Sequence, residues 1–536
     1  SYLVLDIYGS IPEYYPPESV MGEFFGGKPE TLQRLLDNLE KARYDKRIDG
    51  VILKISSSNN LGLAKIEELR GAIKKVRKAG KEVLCFTDSM DRNSYYLASA
   101  CDSIFATPSA SFIFIGFSST SEHVKGTLEK LKIKAHVHKI KDYKSAAEMI
   151  TRKNMSKYAR ENRDWLLNEF WDMFCSALEK DRGFSEEKVI GLMEHALFTA
   201  QEAREVGLVD KIYYWDELER SLKGKEEKLR IVSSSEYERV EPKKLGIEGK
   251  KKIAVIHALG MIGGRTSRLD PILGPMIGHE TVCEQFRKAR EDKDVVAIVF
   301  RVDSPGGEGL ASDLMSREVE VTQEKIPVVV SMVDVAASGG YYISYKAKKI
   351  VADPMTITGS IGSISAKFNM EGFFGKLGIT YDFVTKGPNA LFMSELKDFT
   401  DEQWEIFKTN HWAGFNRWLA DVAEKRGMSF TQAEKLAHGR VWSGRQAVEN
   451  GLVDELGGLD RAVEVAKELA GLSKEEKVKL VHYPKKRGLF EILLGKGGGT
   501  SAIRWIIYSF IHNELRETWN SLSKGQMYLF EPGTLK

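Results

Sequence analysis

The chain repeats itself once, and this restricts its fold more than any local pattern does. Residues 45–55 read Asp-Lys-Arg-Ile-Asp-Gly-Val-Ile-Leu-Lys-Ile, and residues 292–302 read Asp-Lys-Asp-Val-Val-Ala-Ile-Val-Phe-Arg-Val. Tyr95-Tyr96-Leu97 returns as Tyr341-Tyr342-Ile343, and Ile104-Phe105-Ala106-Thr107-Pro108 returns as Ile350-Val351-Ala352-Asp353-Pro354. Lys130-Leu131-Lys132-Ile133 matches Lys376-Leu377-Gly378-Ile379, and Gly207-Leu208-Val209-Asp210 matches Gly451-Leu452-Val453-Asp454. The offset stays at about 245 residues and the pieces keep their order, so this is a duplicated domain, whereas a solenoid repeats every few tens of residues. At 536 residues the chain also exceeds one ordinary core.

Within each copy, short apolar strands alternate with amphipathic helices. Residues 30–43 put Leu32, Leu35, Leu36 and Leu39 on one helical face. A strand is expected over 50–55, a helix over 64–78 and a strand over 82–86, the alternation of an α/β sheet with mainly parallel strands. Long helices rich in Trp and Phe are expected over 158–180 and 401–425, with their aromatic residues in the core. The boundaries read as a first repeat over 1–221, a linker rich in Lys, Glu and Ser over 222–250, a second repeat over 251–472 and a C-terminal extension over 473–536. In that extension a Gly-rich link over 495–501 precedes an amphipathic segment at 502–512. Its expected use is docking on the protein itself or on another subunit, with a membrane surface as the alternative.

Composition excludes several classes. A net charge of +3 from 79 basic and 76 acidic residues is not a nucleic-acid footprint, and the Lys250–Lys252 and Lys485–Arg487 clusters are short solvated patches. Cys85, Cys101, Cys175 and Cys283 are scattered without a Cys-x-x-Cys, unlike a zinc ribbon or a disulfide scaffold, though one pairing stays open. The ten histidines form no metal motif, and His136 and His138 alternate along an expected strand in a structural role. No metal or other cofactor is expected. No run of about 18 apolar residues crosses a bilayer. The chain opens with Ser1, directly in a strand-like stretch, which reads as a trimmed start from which an anchor or signal segment has been removed.

Residues 327–344 carry the first chemical signal. The apolar run from Pro327 stops at Asp334, and Ala336-Ala337-Ser338-Gly339-Gly340 leads into a helix-like Tyr341-Tyr342-Ile343-Ser344-Tyr345-Lys346-Ala347-Lys348. Ser338 would stand at a sharp strand-to-helix turn, its hydroxyl clear of the sheet, with two glycines admitting another backbone. Free N–H groups at a helix start favour developing negative charge. On this stretch alone, a small-residue turn closing a strand–helix unit is the plainer reading.

Comparison of the repeats changes that. After the strand at 296–302 the second copy has Asp303-Ser304-Pro305-Gly306-Gly307, a tight turn able to aim a backbone N–H at the Ser338 loop. Gly306 and Gly339 could each supply one oxyanion donor. The first copy has Ser57-Ser58-Asn59-Asn60 at that turn and Arg92 where Ser338 stands. Conversely, the first copy has Lys144 where the second has a position between Pro388 and Ala390 and no lysine, Lys386 lying nearby. A serine needs a base, and no histidine sits in an evident triad motif. A lysine serves if burial leaves its amine neutral.

These residues resemble the long, duplicated bacterial form of the signal peptide peptidase A (protease IV) family. The resemblance covers nearly the whole chain. It is most specific in Asp303-Ser304-Pro305-Gly306-Gly307, Ala337-Ser338-Gly339-Gly340-Tyr341-Tyr342, Thr358-Gly359-Ser360-Ile361-Gly362 and Asp142-Tyr143-Lys144-Ser145-Ala146. It implies a tandem ClpP/crotonase-like α/β fold and a Ser-Lys dyad of Ser338 and Lys144, with Ser360 hydrogen-bonding the lysine amine. It further implies a tetramer and an N-terminal membrane anchor. The expected location is the bacterial cell membrane, with the catalytic part outside the cytoplasm, and the expected substrates are signal-peptide remnants. Met149-Ile150 after Glu148 departs from the Pro and aromatic residue expected there. The resulting reading is a serine endopeptidase for extended apolar peptides. The alternatives are a crotonase-type acyl-CoA enzyme, which would not need the Ser338/Lys144 pair, and a non-catalytic scaffold.

Overall fold

The computed structural model describes residues 1–14, 30–223, 229–270 and 273–484. The segment at 502–512 and its Gly-rich link lie outside the described residues. Each repeat builds its own sheet. In the first, Tyr2–Ile7, Gly50–Ser56, Glu82–Asp91 and Ser103–Ile113 run parallel, side by side. In the second, Lys252–Leu259, Val295–Ser304 and Val328–Ala337 run parallel, and the last pairs with both Lys349–Ala352 and Ile357–Gly359. The central strands are near-continuous Val, Ile and Leu because helices cover both faces; residues Val328, Val329 and Val330 are wholly buried.

The helices fall where the periodicity puts them. Leu32–Tyr44 buries Leu32, Leu35 and Leu39, and the Thr31 side chain accepts from Arg34 N–H at its start. Lys157–Arg182 and Asp401–Lys425 are capped by Ser156 and Thr400, and Phe170, Phe174, Phe415 and Trp418 are buried among core residues.

Two segments outside the expected repeats belong to the sheets. In the stretch 222–250, expected as a linker, Ile231–Ser233 pairs parallel with the start of Tyr2–Ile7. Beside it, Asn38 Nδ2 donates to Ser234 O at 3.1 Å and Lys41 Nζ to Tyr237 O at 2.9 Å. In the expected extension, Lys479–Tyr483 pairs parallel with Lys252–Leu259. Each sheet is thus continued, beside its first strand, by the chain that follows its repeat. Strands of three and five residues amid Lys, Glu and Ser are too short to give a periodic signal.

The halves are locked together by polar contacts. Arg301, fully buried in the second sheet, donates to Glu13 Oε1 at 2.8 Å and to both oxygens of Glu68 at 2.6 and 2.7 Å, all from the first half. Asn162 exchanges two 3.0 Å hydrogen bonds with the Val441 backbone. A first-half strand, Lys134–Lys139, pairs antiparallel with the second-half strand Ile364–Asn369. His136 and His138 lie on this ribbon, bonded to Asp398 and His411 at 2.8 Å each. All four cysteines are buried and free. Among the described residues, no helix is long and apolar enough to cross a membrane.

Removing Arg301 leaves two buried carboxylates uncompensated. Arg301→Met is expected to lower the unfolding free energy by about 3–5 kcal/mol in a denaturant titration. Arg317→Met, which breaks an exposed pair with Glu320, should shift it by less than about 1 kcal/mol.

Candidate active site

Val328–Ala337 delivers its chain into Ser338, which has φ 55° and ψ −115° and starts a helix of one turn, Gly339–Tyr342. A non-glycine residue at positive φ is strained, and the strain turns the hydroxyl off the sheet. The helix expected through Lys348 stops after Tyr342. The glycines are required by what passes over them. A Cβ on Gly340 would press on Ser304 O, and one on Gly339 would lie 2.8 Å from Ser312 Oγ and 3.0 Å from Gly307 N.

The Pro305-Gly306-Gly307 turn packs onto this loop, but its amides differ from expectation. The Gly306 N–H donates within the turn, to Ser304 Oγ at 3.2 Å, so it is already engaged. The neighbouring Gly307 N–H has no acceptor among the described residues and lies beside Gly339. Gly339, the first helical residue, has no intrahelical acceptor for its N–H. The Gly307 and Gly339 amides, side by side where the turn meets the Ser338 loop, thus both stay without an acceptor among the described residues.

Lys144 comes from the other half. The chain leaves strand Lys134–Lys139, is pinned by Ile140 N–H to Ser363 O at 2.8 Å and by Tyr143 N–H to His438 O at 2.9 Å, and places Lys144 at 5% exposure. Its Nζ lies 2.8 Å from Ser338 Oγ and 2.9 Å from both Ser360 O and Ser360 Oγ. Ser360, also at positive φ (50°), is held by its N–H to Arg440 O at 2.7 Å. Burial, with no acidic partner, pulls the Lys144 amine down to about 7.

Two glycines make the slot for this lysine: Gly439, which the sequence does not single out, and Gly362, which it marks only as part of the Thr358–Gly362 motif. A Cβ on Gly439 (φ 76°) would be driven into the Lys144 backbone, 2.6 Å from its Cα, and one on Gly362 would lie 3.2 Å from Lys144 Cδ. Gly439 follows a helix end, where a glycine reads only as a cap.

Ser338, Lys144 and Ser360 thus converge within a single chain. Lys386 is exposed in a coil of the second half. In the first copy, buried Arg92 lies over the Phe117 ring at 3.7 Å and donates to Gly116 O at 2.7 Å, filling the place of a nucleophile. Asn59 donates to Ser94 Oγ at 2.9 Å in place of an open turn. Among the described residues, no cluster of three or more His, Cys, Asp or Glu side chains is placed to hold a metal ion.

The sequence model for peptidase family S49 matches this chain twice, over residues 75–230 and 320–473. "Serine protease SPPA, chloroplastic" of Arabidopsis thaliana is 35% identical over 88% of this chain and 71% of that protein. "Protease 4" of Salmonella typhi is 32% identical over 88% of this chain and 78% of its own length. A solved ClpP1 mutant from Listeria monocytogenes aligns with 39% of this chain and 94% of its own at 17% identity, with a TM-score of 0.26.

A lysine whose value falls from 10.5 unfolded to about 7 folded loses stability wherever the folded form binds the proton less tightly. The penalty is full below about pH 7 and fades as pH rises towards the unfolded value. Lys144→Met should therefore be more stable than the wild type by roughly 2–4 kcal/mol near pH 7, allowing for its lost hydrogen bonds, with the gap closing towards pH 10. Urea unfolding across that range measures it; a variant no more stable at pH 7 contradicts the buried neutral amine.

Proposed function

Because the chain belongs to peptidase family S49 and is a serine peptidase, we propose that Ser338 and Lys144 form its catalytic dyad and that it cuts extended apolar peptides, cleaved signal peptides at a membrane foremost. The observation that carries this reading is the 2.8 Å contact between Ser338 Oγ and a buried lysine amine with no carboxylate beside it. A lysine paired with an acid would hold its proton and could not accept another.

In the proposed reaction Ser338 Oγ attacks the peptide carbonyl carbon while neutral Lys144 takes the hydroxyl proton. The carbonyl oxygen becomes an oxyanion and moves towards the N–H groups of Gly339 and Gly307. Lys144, now charged, returns its proton to the leaving amine, and the acyl-enzyme remains on Ser338. A water then attacks the ester, with Lys144 again as base, releasing the acid and restoring the serine. Ser360 holds the amine in line through its hydroxyl and carbonyl.

Leu310 and Leu314 are exposed one turn apart at the start of helix Gly309–Gln323, immediately after the Gly306-Gly307 turn, and offer an apolar surface to substrate side chains. An acyl-CoA enzyme would leave the serine–lysine contact without a task. The tetramer, the membrane anchor and a location on the outer side of a bacterial membrane belong to this proposal. Leu377, Ile379, Tyr381 and Val384 are exposed on the second-half segment that matches the Lys144 arm, apolar surface for a neighbouring copy to cover.

The base must be neutral to work, so kcat/KM should rise with pH along a limb near 7, not near the free-lysine value of about 10.4. Ser338→Ala, Lys144→Ala and Lys144→Arg should each lose about 10²–10⁴-fold in peptidase activity. Ser360→Ala should lose less, and Lys386→Ala almost nothing. An active Lys144→Arg enzyme, or one silenced by Lys386→Ala with its fold intact, would mean that another group is the base.

A further inference from the structure

We propose that Lys65, on the first-half helix Leu63–Lys78, is a positioning residue for the reaction: its ammonium clamps Asp303 to Asp334 and so fixes the nucleophile loop against the oxyanion loop. This rests on the reading of Ser338 and Lys144 as the dyad.

The two carboxylates stand at the roots of the two catalytic loops. Asp303 lies just ahead of Ser304-Pro305-Gly306-Gly307, and Asp334 four residues before Ser338. Their strands are out of register at this point. Val302 pairs with Met332 and Ser304 with Ala336, so Asp303 alone faces three residues, Val333, Asp334 and Val335. Such a bulge sets where the following side chain is aimed. It leaves backbone groups without ladder partners, and side chains take them up. Val335 N–H donates to Asp303 Oδ1 at 3.1 Å, tying one loop root to the other.

The bulge is closed from the first half. Lys65 Nζ sits 2.7 Å from Asp303 Oδ2 and 2.9 Å from Asp334 Oδ2. Asp334 Oδ1 accepts from Ala64 N–H at 3.1 Å and Lys65 N–H at 3.2 Å, capping the helix that carries the lysine. Gly62 is required here, because a Cβ would collide with the Asp334 carboxylate. Although burial works against its charge, Lys65 is held above the ordinary lysine value by Asp303 and Asp334. Without it, two carboxylates facing each other at the same bulge would repel and part the loops.

The first copy supplies the contrast. Its smaller bulge leaves out Asp88 alone, between the pairs Ile55–Thr87 and Ser56–Ser89. Asp88 is exposed, and hydroxyls close the gap, Ser56 Oγ and Ser57 Oγ each 3.1 Å from Ser89 Oγ. The copy without a nucleophile has no lysine in its bulge.

The test is the rate at which a fluorophosphonate labels Ser338 in the full chain, with melting curves and peptide kinetics alongside. Lys65→Met should label at least ten-fold more slowly and lose kcat with little change in KM, while the pH limb set by Lys144 stays in place. Lys65→Arg should recover most of the rate. The double variant Lys65→Met/Asp334→Asn, which removes the repulsion, should label faster than Lys65→Met. If Lys65→Met does not fold, the double variant, which loses the bridge as well as the repulsion, is read alone: labelling at less than half the wild-type rate supports the clamp, and faster labelling overturns it. Lys65→Met labelling at the wild-type rate overturns the clamp and leaves the dyad standing. A wild-type Ser338 that does not label overturns the dyad and the clamp with it.

Discussion

A lysine amine stays neutral near neutral pH only where water and carboxylates are both kept away, and the active site is built around that condition. Two first-half lysines show how strictly environment decides the outcome. Lys144 is buried with hydroxyls and a carbonyl for company, and burial alone lowers it to about 7. Lys65 is enclosed as well, but two carboxylates within 3 Å outweigh burial and keep it charged. In the proposed reaction the first takes a proton from Ser338, while the second, charged, is paired with two carboxylates. Gly362 and Gly439 matter for the same reason, since they let the lysine stem pass between backbones that exclude water.

The duplication makes this arrangement available. Each copy has one strand-to-helix turn and one arm, and the two arms pair with each other across the halves. Here the first copy keeps the arm, ending in Lys144, and has filled its own turn with Arg92 and Asn59. The second keeps the turn, with Ser338 strained at φ 55°, and its own arm carries Lys386 on the surface. Each copy has lost the feature that the other supplies, and the antiparallel ribbon of Lys134–Lys139 with Ile364–Asn369 carries one half's side chain into the other's loop.

Much of this was legible in the chain because it rests on features that leave local marks. Repeat offsets gave the two sheets, leucine spacing the helices, and the Ser338/Arg92 and Lys144 mismatches the pair that meets. What was not legible depends on contacts between distant segments. The sequence shows a tight turn able to aim an N–H at the Ser338 loop; that the Gly306 N–H turns inward to Ser304 Oγ and leaves Gly307 free is a property of the folded turn. Gly439 lies nearly 300 residues from Lys144 and carries only the mark of a helix end. Ile231–Ser233 finds its place through pairing with Tyr2–Ile7, not through its own three residues.

The charges between the halves follow from the same need for fixed geometry. A buried ion pair gains little stability over an apolar replacement of equal volume, so Arg301 with Glu13 and Glu68, and Lys65 with Asp303 and Asp334, are poorly explained as glue. An apolar seam would hold the halves together while tolerating a slip of an ångström between them. A bidentate guanidinium–carboxylate pair tolerates much less, because its hydrogen bonds are directional. In the proposed dyad, nucleophile and base come from opposite sides of that seam and meet at 2.8 Å, and a slip of one ångström would open the contact. Both ionic clusters lie on the strands that lead into the Ser338 and Gly306-Gly307 loops: Arg301 and Asp303 on Val295–Ser304, Asp334 on Val328–Ala337. The seam is therefore most directional beside the contact through which the proposed reaction passes its proton.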